Sequence, residues 1–153
     1  QITVMRRLWA EPLVTFEGRF HRLDRVGINP LPGRTISVMM GTGASDAALR
    51  RVVRSADGWL PLIIPGLDPI GFRDGVVRLR QLCEEAGRDP ATMAIHARTM
   101  LGPGWEQAVA EAQELGCETC SIGFNRMANP GLDHAEHLRL MIEAKPAIDR
   151  ITG

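Results

Sequence analysis

ISVMMGTGASDAALRRVVRSADGW, residues 36–59, decides how the rest of the chain reads. An apolar run enters a glycine turn, an amphipathic helix follows, and a second apolar run begins at Trp59. Leu49, Val52 and Val53 recur at helical spacing, with Arg50, Arg51 and Arg54 on the opposite face. Ser45 stands at the N-cap position. The turn Gly41-Thr42-Gly43-Ala44 falls where a strand hands over to a helix. Free backbone N–H groups converge there, and the helix dipole favours an anion, so the geometry is that of a phosphate cradle. Asp46 in the first helical turn is the local objection, because a carboxylate close to a bound phosphate would repel it. No Gly-Lys-Ser or Gly-Lys-Thr follows, and the three-glycine dinucleotide spacing is absent.

The turn sits in a chain of 153 residues with 18 Lys and Arg against 18 Asp and Glu. The balance leaves no long-range field for nucleic acid or an anionic membrane, so any anion site is local. The apolar run around residues 59–65 is too short to span a bilayer. Three cysteines, an odd number, argue against a disulfide framework and for a reducing, cytoplasmic setting. The sequence opens at Gln1 directly in a helical pattern, as a chain starting mid-protein would.

Taken in order, Ile2, Met5 and Leu8 with Trp9 predict an amphipathic helix ended by Glu11-Pro12. Val14-Thr15-Phe16 and Arg19-Phe20-His21 flank Glu17-Gly18 as a β-ribbon, and Asn29-Pro30-Leu31-Pro32-Gly33 follows. Residues 1–10 thus form a preceding helix, 11–35 an insertion or connector, and 36–153 the main α/β body. Within it the predicted strands are 36–40, 59–63, 92–99 and 119–124. The helices between them begin at Ser45, at Asp68-Pro69 and near Trp105, and Gly87 and Gly116 end the second and third. A last helix opens at Asp133 with Glu136 as capping-box partner, and Pro146 kinks or ends it. Four consecutive strand-helix units imply a parallel sheet with right-handed crossovers. A small doubly wound sheet and half of a (β/α) barrel both satisfy the pattern, and in both the ligand end is the carboxyl end of the strands.

Five motifs in order carry a resemblance: Leu8-Trp9-Ala10-Glu11-Pro12, Phe16-Glu17-Gly18-Arg19-Phe20, Asn29-Pro30-Leu31-Pro32, Gly41-Thr42-Gly43-Ala44 and Ala56-Asp57-Gly58-Trp59. Together with Glu85-Ala86-Gly87-Arg88-Asp89-Pro90, they resemble the bacterial luciferase-like flavin-dependent monooxygenase and oxidoreductase family, over its C-terminal half only. The resemblance implies the C-terminal half of a (β/α)8 TIM-type barrel, with four parallel strand-helix units preceded by a helix and a β-ribbon insertion. It implies an enzyme acting on a small molecule with an 8-hydroxy-5-deazaflavin coenzyme of the F420 type, or FMN as the alternative. Ser121-Ile122-Gly123-Phe124-Asn125-Arg126-Met127 is nearer to the deazaflavin branch. By the same analogy Gly41, Thr42, Gly43 and Ala44 contact the cofactor's phosphate-bearing chain, and Trp59, Leu60, Pro61 and Leu62 look onto the substrate side. The family's catalytic residues come largely from the other half, so none is carried over. A half-barrel leaves strand edges bare, so pairing with another copy or with a missing N-terminal half is expected; a non-catalytic fragment or interaction module is the remaining class of answer.

Other chemistry-bearing residues have plainer readings. Cys117-Glu-Thr-Cys120 follows a helix and enters a strand, the wrong polarity for a thiol activated at a helix N-terminus. The spacing of His134 and His137 falls short of a zinc-finger pattern, and no metal is expected. His96 and Arg98 alternate along one strand, with Arg98 nearer the carboxyl end on the substrate side. An anionic group of a ligand or an internal carboxylate would satisfy Arg98. Ser121 and Asn125 border the exit of the last strand, and His21 lies in the ribbon.

Overall fold

The computed structural model describes residues 1–64, 71–123, 131 and 133–152. The chain forms two compact units, Gln1–Val38 and Met39–Gly153. In the first, α1 (Ile2–Ala10) ends where Glu11, the residue before Pro12, turns extended. Arg7 reaches back to the Glu11 carboxylate at 2.7 and 2.9 Å. β1 (Val14–Glu17) and β2 (Arg22–Val26) then form an antiparallel ribbon. Arg19, Phe20 and His21, expected in the second strand, form its turn instead, because the Gly18 N–H bonds the His21 carbonyl at 2.9 Å. That closure sets Phe16 opposite Leu23 and Glu17 opposite Arg22, an apolar pair and two residues of opposite charge across the ladder.

The second unit runs β3 (Met39–Gly41), α2 (Asp46–Ser55), β4 (Gly58–Leu60), β5 (Leu62–Ile63), α3 (Phe72–Glu85), β6 (Ala94–Met100), α4 (Trp105–Glu114), β7 (Thr119–Gly123) and α5 (His134–Thr152). β3 starts later than expected, because its partner offers pairing only from Gly58 onward, opposite Met39. β4 and β5 are one strand interrupted at Pro61. Trp59 pairs with Ile95 and Leu62 with Arg98 in unbroken register, and the Pro61 carbonyl still accepts from the Arg98 N–H at 2.9 Å.

All four strands are parallel, and each lies beside the one before it in sequence. A doubly wound sheet reverses its strand order at a switch point, which puts helices on both faces. No reversal occurs here, so right-handed crossovers bring α2, α3 and α4 to one face, as in half of an eight-stranded barrel. Burial along β6 agrees with this. Ile95, Ala97 and Thr99 are buried towards the helices, while His96, Arg98 and Met100 alternate with them on the open face. Leu49, Val52, Val76, Leu79 and Cys83 join Trp59 in the covered core.

Local chemistry sets the ends of the helices. At Gly87 (φ +67°) the Arg88 N–H reaches the Cys83 carbonyl at 2.8 Å, and at Gly116 (φ +74°) the Cys117 N–H reaches Ala112 at 3.0 Å. Both are left-handed closures that need a residue without Cβ strain. Asp133 and Glu136 exchange backbone and carboxylate bonds at 2.9 Å, the expected capping box. Pro146 does not end α5, which continues to Thr152. The proline deletes one backbone bond, while Ala144 and Ala147 on either side are buried and Lys145 pairs with Asp149 at 2.7 Å across it. Asp68, Pro69, Phe124, Asn125, Arg126 and Met127 lie outside the described residues.

Candidate functional site

The glycine turn leaves the carboxyl end of β3 and delivers Ser45 to the N-cap of α2. The Ser45 carbonyl accepts from the Ala48 and Leu49 N–H groups at 3.0 and 2.9 Å, but its hydroxyl makes no capping bond. Among the described residues the Asp46 and Ala47 N–H groups have no partner within the helix and receive none from this side chain. The Trp59 indole N–H donates to the Thr42 carbonyl at 2.9 Å, which fixes the turn from below. A Cβ added at Gly43 would meet no atom within 4 Å, and neither Gly41 nor Gly43 has a positive φ. Neither packing nor backbone conformation calls for glycine at 43. A side chain there would project into open space.

Asp46 is engaged by the neighbouring helix α3. Its carboxylate is bound by Arg78 of α3 and by Arg50 at 2.8 Å, and the same two arginines hold Glu85 at 2.8 and 3.2 Å. The hydrogen bond from Arg78, and then that from Arg50, holds the Asp46 carboxyl below the usual carboxylate range. Asp46 is thus ion-paired in a four-residue clamp between α2 and α3. Arg50, expected on a purely solvated face, belongs to this clamp. The Asp46–Arg50 spacing of four was a signal for half of it, while Arg78 and Glu85 need the packing of two helices to be seen.

The residues expected on the substrate side divide between two faces. Trp59 is 1 % exposed, and it and Pro61 point to the helix side, so their side chains do not look onto the open face. Leu60 and Leu62 do, at 36 and 49 % exposure. Leu62, Arg98 and Ser121 occupy one row across three adjacent strands. A Cβ on Gly123 would stand 3.4 Å from an Arg98 guanidinium nitrogen, so the side chain runs towards the carboxyl end of the sheet. Among the described residues Arg98 has no carboxylate partner. β3 and β6 are two strand spacings apart, about 10 Å, so the glycine turn and Arg98 border the same rim. Ala44 differs from its neighbours: its side chain is buried, 2.8 Å from where a Cβ on Gly75 would stand, so only its backbone faces the rim.

Of the competing groups, His96 lies beside Glu118 at 3.3 Å near the amino end of β6. Burial pushes the Cys117 thiol up to about 11, with Cys120 adding to the effect, and burial raises Cys83 and Cys120 as well. These are thiols, not thiolates, at neutral pH. Among the described residues no group of three or more His, Cys, Asp and Glu side chains converges on a point, and no helix is long and apolar enough to cross a membrane.

Comparison with known proteins places this geometry in context. The chain is 32% identical over 111 residues to an F420-dependent glucose-6-phosphate dehydrogenase of Intrasporangium calvum, covering 62% of this chain and 33% of that protein. It is 32% identical over 88 residues to the enzyme of the same description from Nakamurella multipartita, covering 57% of this chain and 25% of that one. The match therefore spans a third or less of these relatives. Among solved structures, it is similar to an F420-dependent secondary alcohol dehydrogenase in complex with an F420-acetone adduct (17% identity, TM-score 0.48, 93% of this chain and 42% of that one). DmoA from Hyphomicrobium sulfonivorans is comparably similar (18% identity, TM-score 0.47, 74% and 29%). The sequence profile of the luciferase-like monooxygenases matches residues 1–145, nearly the whole chain, and the chain belongs to that family.

Proposed function

We propose that this chain forms the cofactor-phosphate end of an oxidoreductase that moves a hydride between a small-molecule substrate and a deazaflavin coenzyme of the F420 type. The observation that carries the reading is an α2 N-terminus that its N-cap side chain leaves uncapped, two residues after a glycine, Gly43, that packing does not require. A phosphate there would be held by backbone N–H groups of the turn and first helical turn and by the Ser45 hydroxyl. Thr42 contributes a carbonyl already tied to Trp59, so its part is to hold the turn still. When bound, a deazaflavin supplies the carbon that accepts or gives the hydride. Leu60 and Leu62 would exclude water from the neighbouring rim, and Arg98 with Ser121 would orient a polar or anionic group of the substrate. None of these residues is positioned as an acid or base, and the catalytic residues are not assigned.

Both curated relatives are described as F420-dependent, which favours a deazaflavin. The family description as monooxygenases supports FMN as the second reading, since one phosphate site serves either cofactor. Three free thiols support a reducing, cytoplasmic setting. The test is titration of the folded chain with F420 and separately with FMN, followed by each chromophore's visible absorption. The expected result is saturable binding of F420, weakened about tenfold or more by Gly43→Val at unchanged melting temperature. A folded chain that binds neither cofactor, or a Gly43→Val variant that binds as well as the parent, overturns the assignment and leaves a non-catalytic module.

A further inference from the structure

We infer that the chain carries a second small-molecule site, at the opposite end of the sheet from the glycine turn, which takes a short monocarboxylic acid with an apolar body. The site is a cavity of about 320 Å³ between α3 and the amino ends of β6 and β7. The inference rests on this cavity and not on the cofactor assignment, so the two readings fail separately. Leu79 and Cys83 of α3, with Met93 and Ile95 at the start of β6, line it with buried apolar surface. Ala91 adds a wall that Asp89 holds in place. The Asp89 carboxylate accepts from the Ala91 N–H at 2.9 Å, and its carbonyl accepts from the Thr92 hydroxyl at 2.8 Å. The turn between α4 and β7 contributes Gly116 and Glu118.

Arg80 supplies the recognition. Of the three arginines of α3, Arg73 binds Glu111 and Glu114 and Arg78 binds Asp46 and Glu85, whereas Arg80 has no carboxylate partner among the described residues. One of its nitrogens donates to the Leu115 carbonyl at 2.7 Å, and a Cβ on Gly116 would stand 3.8 Å from that nitrogen. A carbonyl fixes the guanidinium without neutralising it, and the other N–H groups of the fork are left for a ligand. A carboxylate matches that fork with two parallel bonds, while the apolar lining takes the rest of the molecule out of water. Glu118, whose carboxylate stands 3.3 Å from the His96 ring, borders the same cavity. The lining thus holds one positive and one negative charge, so a second negative charge on the ligand would be uncompensated, which disfavours phosphates and dicarboxylates. The volume lies at the low end of the range for small-molecule sites, so the apolar body is short.

The experiment is calorimetric titration of the full chain with hexanoate, with hexylamine and inorganic phosphate as the contrasting probes. The expected result is saturable binding of hexanoate that raises the melting temperature, and binding of the other two weaker by about tenfold or more. Arg80→Met keeps an apolar stem and removes the fork, so it should weaken hexanoate binding by about tenfold or more at unchanged circular dichroism. Because that change also gives up the bond to Leu115, Ala91→Phe is the second probe. It fills the cavity from an exposed position and should do the same should Arg80→Met fail to fold. Arg54→Met, which removes an exposed arginine of α2 that does not line the cavity, should leave the affinity intact. No saturable binding of hexanoate, hexylamine or phosphate bound as tightly, an affinity unchanged in a folded Arg80→Met or Ala91→Phe chain, or one lost equally with Arg54→Met overturns the inference.

Discussion

The Trp59 indole N–H donates to the Thr42 carbonyl at 2.9 Å, so the second strand of the sheet holds the turn at the end of the first. Trp59 itself is locked between Gly75 of α3 and Phe72, whose ring centroid is 6.1 Å away. The turn therefore inherits its position from the core. Trp59→Phe keeps most of the apolar contact and loses the bond, which should cost about 1 kcal/mol in chemical denaturation. It should also weaken cofactor binding, because Thr42 becomes free to move. Trp59→Ala should cost about 3–5 kcal/mol through the cavity it leaves. An unchanged affinity in a stable Trp59→Phe variant would show that the indole does not position the turn.

The clamp between α2 and α3 gives the molecule a pH dependence of defined sign. Hydrogen bonds from Arg78 hold the Asp46 and Glu85 carboxyls below their usual range, with Arg50 assisting. A carboxyl depressed in the folded state adds stability that is fully present above its unfolded value and is lost as the pH falls through the folded one. All four side chains are solvent-accessible, so the effect is modest and screened by salt. Asp46→Asn should lower the melting temperature at neutral pH, and the gap from the parent should close on acidification and in high salt. A gap that is the same at acid and neutral pH would remove the clamp from the account.

Much of this architecture was legible because local signals agreed with one another. Gly87 and Gly116 stop helices as glycine should after an apolar period, and Asp133 with Glu136 announces a helix start three residues apart. The order of parallel strands follows from alternation, but the choice between an open sheet and half of a barrel needed the pairing of β3 with β4 and of β6 with β7. The site was legible only as backbone. That Gly43 faces open space, and that Trp59 and Pro61 turn their side chains away from Leu60 and Leu62, depends on which face the helices cover. The ribbon was misplaced because Phe20 resembles a strand residue. It is 78 % exposed at the tip, with the Arg19 guanidinium 4.9 Å from its ring centroid.

The thiols offer a direct check on the polarity argument at the start of β7. Cys117 lies after α4 rather than at a helix N-terminus, and burial pushes its thiol up to about 11. Cys120 packs partly against the core, and burial raises it too. Alkylation of the native chain near neutral pH should therefore be slow and should accelerate sharply once denaturant unfolds it. Above the ordinary thiol range the unfolded chain ionises before the folded one, so stability should fall with rising pH there. Rapid, stoichiometric labelling of either residue in the native chain at neutral pH would mean that an activated thiolate is present after all.

His137 carries an unsatisfied group within the fold. Among the described residues its Nε2 is buried without a hydrogen-bond partner, although its backbone N–H bonds the Asp133 carbonyl at 3.1 Å in the first turn of α5. A polar nitrogen removed from water and left unpaired costs about 1–3 kcal/mol. His137→Leu discards that nitrogen, retains apolar bulk and improves helix propensity, so it should stabilise the chain by about 1 kcal/mol. His137→Ala should fall below His137→Leu, because it removes the same nitrogen but leaves a void. Denaturation midpoints of the three proteins at one pH decide the matter, and a His137→Leu protein less stable than the parent would mean that the imidazole has a partner in solution.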